Sequence, residues 1–182
     1  MTARAIRSAL ESGDLPLAIR LHRELFPLER LGMIHETDEG DLHDYLETPL
    51  PIFYFCTKEE LRELRLRMAT AVLLGMRIED ALDPDPGFPW PYAMSPRAAG
   101  QNFIKSTAIY RNVSGWLKSG LVQTVKIMNS GDGPCAACKA AAHEYAIHDL
   151  PQLPIHNCEN INSVGCRCSV GAVKILGLSQ KW

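Results

Sequence analysis

No apolar run in this chain is long enough to cross a membrane. The longest stretches, such as "MATAVLLGM" from Met68 to Met76, fall far short of the about 20 residues that a spanning helix needs. The opening "MTARAIRSALESGD" lacks an apolar segment followed by a small-residue cleavage site, so the expected location is the cytoplasm. A surplus of charge is missing too: 19 Lys and Arg stand against 21 Asp and Glu, for a formal net charge of -2. The two signs are interspersed, which removes any general attraction to nucleic acid or to an anionic membrane and leaves only a local basic patch as a way to bind either. The sequence contains no H-E-x-x-H, G-x-S-x-G or P-loop, and no internal repeat of useful length. The commonest zinc-peptidase, serine-hydrolase and nucleotide-hydrolysing chemistries therefore have no support here.

Cysteine is scarce as well, and its distribution is the strongest signal in the chain. Of six cysteines in 182 residues, five lie in "PCAACKAAAHEYAIHDLPQLPIHNCENINSVGCRC", residues 134 to 168. In a chain without a secretory signal, thiols meet reducing thiol pools, so a cluster of them points to metal rather than to disulfides. Cys56, alone at the end of "PIFYF", is expected to be a small buried hydrophobe. The 46% hydrophobic and 22% charged content suits one good-sized core or two small ones.

The N-terminal half reads as helical. "ARAIRSALESGD" and "LPLAIRLHRELFPLERLGMI" form two amphipathic helices, the second with Leu17, Leu21, Leu25 and Leu28 at spacings of three and four and with Pro27 to end or kink it. "HETDEGDLHDYLETPLP" is a polar connection with a short helix around Leu42 to Leu46. Thr57 and Glu60 fit a capping box, after which "LRELRLRMATAVLLGMRIEDAL" continues as one long helix. "DPDPGFPWPYAMSP" cannot continue it; the segment is either a linker or an ordered loop whose aromatics Phe88, Trp90 and Tyr92 lie on the core. Arg97 to Lys118 is helix-compatible with an end near Gly120, and "LVQTVKIM" alternates as a strand does. The expected fold class is α+β: a helical region over 1–83, a Pro-rich connecting segment over 84–96, and a small zinc-stapled helix–strand module over 97–182.

Cys135 and Cys138 form C-x-x-C, a spacing that lets one turn present two thiolates to one ion. A thioredoxin-like dithiol uses two thiols, whereas Cys158, Cys166 and Cys168 supply three more, so a tetrahedral structural zinc explains the group better; iron–sulfur ligation is the weaker metal alternative. The remaining two ligands come from His156, Cys158, Cys166 and Cys168. Cys158 with Cys166 is the favoured pair, because the loop between them contains Asn160, Asn162, Ser163 and Gly165 and can close back on the ion, with Gly165 free to take a positive φ. Cys168 is the competitor, since in an extended strand it shares a face with Cys166. His156 is more commonly a surface or hydrogen-bonding residue, and His143 and His148 still more so.

"VKIMNSGDGPCAACKA", "LPQLPIHNC" and "GCRCSV", in that order, resemble the C-terminal zinc-binding module of the phage head morphogenesis family, the Mu F-like minor head proteins. The resemblance spans about Gln101 to Val173. It assigns Asp132 to an acidic turn, Cys135 and Cys138 to the first ligand pair, Pro151 and Pro154 to a proline-rich approach, and Cys166-Arg167-Cys168 to the terminal motif. Many relatives run H-x-x-C-R-C, whereas here His156 precedes Cys166 by ten residues and Cys158 intervenes. The resemblance implies virion assembly and, for a phage-derived chain, a place in the virion or the host cytoplasm.

The expected function is therefore that of a non-enzymatic zinc-binding protein acting in assembly or protein–protein interaction, with a protein partner or a second copy of itself. The runner-up is a zinc-knuckle nuclease using His156 with Asn157 and Asn160, or a hydrolase using the zinc directly. Four or more thiolates favour a closed structural site, so an enzyme is not the preferred reading and no catalytic residue is assigned. Nucleic acid is not expected as a primary partner: Arg62, Arg65 and Arg67 alternate with Glu59, Glu60 and Glu63 as on a solvated helix face, which leaves Lys126 and Arg167 near the zinc.

Overall fold

Local capping chemistry draws the first boundaries. The computed structural model describes residues 3–25, 38–76, 82, 94–129 and 134–176. Helix α1 (Ala3–Glu11) stops where Gly13 takes φ 76, with Gly13 N–H bonded to the Leu10 carbonyl at 3.1 Å and Asp14 N–H to that of Ala9 at 2.9 Å. These two bonds are the Schellman pattern that satisfies orphan carbonyls. Asp14 then starts α2 (Leu15–Leu25), its carboxylate accepting from Leu17 N–H. Helix α3 (Glu39–Glu47) opens with a capping box between Asp38 and Asp41, and α4 (Lys58–Leu73) with the one between Thr57 and Glu60.

The chain divides into two compact units, 1–48 with 53–91, and 49–52 with 92–182. In the first unit the four helices among the described residues pack around Ile6, Ala9, Leu10, Ala18, Ile19, Leu42, Leu66, Ala69 and Leu73. Helix α2 buries a face centred on Ala18, Ile19 and His22, while the leucines at 17, 21 and 25 flank the core half-buried. His22 reaches the carbonyl of Leu73 through Nδ1 at 2.5 Å, filling an acceptor that the last turn of α4 leaves open. Helix α4 itself ends at Leu73, earlier than its sequence pattern implies. Gly75, at φ 61, and Met76 donate back to Val72 and Ala71 in a second Schellman turn. Positions 77–81 of that expected helix, together with Pro27, Leu28, Phe88, Trp90 and Tyr92, fall outside the described residues.

The second unit is α+β. Helix α5 (Pro96–Ser119) has Ser95 as N-cap, Pro96 at its first position and Gly120 at φ 63 beyond its end, the arrangement these residue types favour. At 24 residues it is about 36 Å long. Its buried positions, from Ala98 to Thr107, all lie in the N-terminal half. Two of them, Ser106 and Thr107, satisfy their hydroxyls on the carbonyls of Asn102 and Phe103. Three antiparallel strands follow in the order β2–β1–β3: β1 (Val122–Asn129), β2 (Glu144–Ala146) and β3 (Cys168–Ile175). The short helix α6 (Ala136–Ala140) lies between β1 and β2. Register in the central pair sets Asn129 opposite Cys168 and Ile127 opposite Val170. Val125, Ile127 and Val170 are buried, while Lys126 is exposed. Among the described residues no helix is long and apolar enough to cross a membrane.

Candidate metal centre

Five thiols converge from three places in the chain. Cys135 sits at the N-cap of α6 and Cys138 inside its first turn, so the i, i+3 spacing puts both on one side of the helix. Cys158 follows a turn closed by its own N–H on the Ile155 carbonyl at 3.1 Å. Cys166 precedes β3 and Cys168 opens it. The sulfurs of Cys135, Cys138 and Cys158 lie within 4.8 Å of one another, as do those of Cys138, Cys166 and Cys168. Two separations are closer still, Cys135 to Cys158 at 3.8 Å and Cys138 to Cys158 at 3.5 Å. None of the five is more than 8% exposed. The cysteines are thus positioned to bind a metal ion.

The loop between Cys158 and Cys166 closes back as its composition suggests. The Asn160 carbonyl accepts from the N–H groups of Ser163, Val164 and Gly165, and Gly165 takes φ 83 immediately before Cys166. What the sequence does not announce is how this loop is held. Asn102, wholly buried on α5, donates from Nδ2 to the Ile161 carbonyl at 2.8 Å and accepts on Oδ1 from Cys166 N–H at 2.9 Å. Ser95 adds two more ties, its N–H to the Asn162 carbonyl and its hydroxyl to that of Ser163, both at 2.9 Å. Gly165 lies so close to the helix that a Cβ there would fall 3.0 Å from the Gln101 Cβ. The first turns of α5 are therefore the wall against which the metal loop is built. A polar residue among apolar neighbours in a helix pattern was the available signal for Asn102; nothing in the sequence pairs it with residues about sixty positions later.

Burial opposes ionisation of most of these thiols. It raises Cys138 and Cys158 well above the usual thiol range, Cys138 further by its neighbours Cys168 and Cys135, and holds Cys168 at about 11. Cys135 differs: burial raises it, but the backbone N–H groups of Cys138 and Glu159 together with the neighbouring thiols outweigh that and bring it to about 7. One thiol is thus predisposed to the thiolate that a metal needs, and Cys138, Cys158 and Cys168 require a cation to become anionic. Cys168 also directs its sulfur to Asn129 Oδ1 at 3.3 Å, a contact set by the β1–β3 register.

His156, the alternative ligand, is exposed and outside both sulfur groups, and His143 and His148 are exposed as well. Asp132 falls outside the described residues. Cys56 departs from expectation: it is half-buried rather than buried, because the short turn after the 3-10 segment Pro51–Phe53 leaves it at the surface of the first unit. Partial burial and the Glu60 carboxylate still raise its thiol to about 11. The arginines of α4 are engaged inside that unit. Arg67 pairs with Glu63 at 2.8 Å, Arg65 donates to the Thr48 carbonyl at 2.8 Å, and Arg62 to that of Glu11 at 3.3 Å. Comparison with family models, curated proteins and solved structures finds no match.

Proposed function

We propose that this chain is a non-enzymatic structural zinc protein whose metal makes the second unit foldable, and that it acts through assembly or protein–protein interaction. The observation that carries the reading is the set of five buried thiols on a small unit built from a long helix, a helical turn and three strands. A tetrahedral site with zinc–sulfur bonds of about 2.3 Å needs sulfurs about 3.8 Å apart. The separations of 3.5 and 3.8 Å to Cys158 fit that requirement. Cys135, Cys138 and Cys158 are three of the ligands in this reading and Cys166 the fourth. Cys168 keeps its proton, because its sulfur donates to Asn129 Oδ1.

Four thiolates saturate zinc and put excess negative charge on it, which leaves no position for an activated water. The metal then contributes folding free energy, as it does in other small units with little core. The order of the C-x-x-C, the proline-rich approach and the C-R-C supports a role like that of phage minor head proteins, in the virion or the host cytoplasm. The test is association. Removing zinc with a chelator should abolish partner binding or self-assembly and returning it should restore both, with no zinc-dependent hydrolysis of nucleic acid, peptide or ester. Turnover that His156→Ala abolishes in a variant retaining zinc and fold would overturn the reading and favour the nuclease or hydrolase alternative.

A further inference from the structure

A single tetrahedral zinc uses four of five clustered thiols and leaves one over. The sulfurs themselves are arranged differently: they form two triangles, Cys135–Cys138–Cys158 and Cys138–Cys166–Cys168, with Cys138 common to both. We propose that the centre accepts two soft monovalent d10 cations, Cu(I) being the biological example, one in each triangle with the Cys138 thiolate bridging them. The inference rests on the same thiol cluster as the zinc reading but not on zinc as its resident ion.

Ligand number is the first argument. A soft monovalent ion is satisfied by three thiolates, and two three-coordinate sites that share one bridging sulfur consume all five thiols with none left over. Geometry is the second. An ion at the centre of the Cys135–Cys138–Cys158 triangle, two of whose edges are 3.8 and 3.5 Å, lies about 2.2 Å from each sulfur, close to an ordinary metal–thiolate bond, and the sulfurs of the second triangle lie within 4.8 Å of one another. Cys138 occupies the place a bridge requires, with Cys158 at 3.5 Å and Cys166 and Cys168 in its other triangle.

Coordination number bears on the kind of ion. With no thiol residue more than 8% exposed, a divalent ion has to take its fourth ligand from beyond one triangle, as the zinc reading does with Cys166, whereas a three-coordinate monovalent ion needs no fourth ligand and leaves the second triangle free for another. The binding step involves no redox change: each S–H bond that breaks releases a proton to buffer, and the sulfur lone pair forms the S–Cu bond.

The experiment titrates reduced, metal-free full-length protein anaerobically with Cu(I) buffered by a competing chelator. Native mass spectrometry gives the stoichiometry and X-ray absorption the copper environment. The expected result is two Cu(I) per chain at saturation, with a copper–copper scattering path from the shared sulfur. Cys168→Ser should weaken the second ion at least tenfold and leave the first unchanged, and Cys56→Ser should leave both. Saturation at one Cu(I), two ions without a copper–copper path, or a path that survives Cys138→Ser would overturn the inference. A chain that carries one zinc as purified yet saturates at one Cu(I) refutes this inference alone. A chain that takes two bridged Cu(I) but never holds zinc refutes only the zinc reading.

Discussion

Replacing Asn102 by Ala tests whether the metal loop depends on helix α5. The side chain is wholly buried and makes two hydrogen bonds to the loop, one to the Ile161 carbonyl and one from Cys166 N–H. Truncation would leave a buried acceptor and a buried donor unsatisfied at about 1–3 kcal/mol each, and a small cavity besides. The expected loss is about 2–5 kcal/mol of stability in the zinc-loaded second unit. Because Cys166 loses the bond that orients it, zinc affinity should also fall about 10–100-fold, the usual scale for removing a group that orients a ligand. Urea denaturation of loaded protein and zinc competition against a chromophoric chelator measure the two effects. Asn112→Ala, at an exposed position on the same helix, is the control and should stay within about 0.5 kcal/mol of wild type. An Asn102→Ala protein as stable as that control and holding zinc within about twofold of wild type would refute the idea that α5 positions the site.

Gly165→Ala should cost about 1–3 kcal/mol in the same unit, measured by thermal unfolding, because it imposes a side chain on a left-handed residue. Its Cβ would meet the Gln101 Cβ at 3.0 Å and Asn102 Oδ1 at 3.1 Å, at φ 83. Cys135→Ser or Cys138→Ser should expose residues 94–176 to limited proteolysis while the helical signal of the first unit persists, each unit having its own internal packing; a single shared melting transition would contradict this. Glu63 supplies a pH dependence for the first unit. The hydrogen bond from Arg7 holds its carboxyl below the usual range, burial opposes that, and Arg67 adds to the lowering. With the folded value below the unfolded one, the stabilisation is complete above the ordinary carboxylate range and is lost as pH falls through the depressed value. Glu63→Gln should therefore flatten the acid limb of the unfolding curve and cost at most about 1 kcal/mol at neutral pH, since the network is partly solvated.

The features most legible in the sequence were those with local chemical causes. The capping box at Thr57 and Glu60, the Gly120 terminus, the alternating strand after it and the positive φ at Gly165 all depend on residues close together in the chain. The α+β class follows from such elements added together. The stop of α4 was hidden because Gly75 sits inside a continuing apolar pattern, where a glycine alone does not reveal a Schellman turn. The centring of α2 on Ala18, Ile19 and His22 instead of its leucines was hidden for a different reason: periodicity identifies an apolar face but not which part of it meets the densest packing. Within the candidate site, the convergence of all five cysteines was readable from their clustering. The division into two triangles about Cys138 was not, because it depends on the tertiary approach of α6 to the start of β3. Ser95 and Asn102 were missed as supports of the loop for the same reason, their partners being contributed by a segment more than fifty residues away.

The most direct test of the account is the zinc content of protein purified without added metal, measured by elemental analysis and native mass spectrometry and followed by chelation. The account predicts one zinc per chain, and on its removal protease sensitivity across residues 94–176 that returning zinc reverses. A well-folded chain that contains no metal and resists protease equally with and without chelator would contradict it.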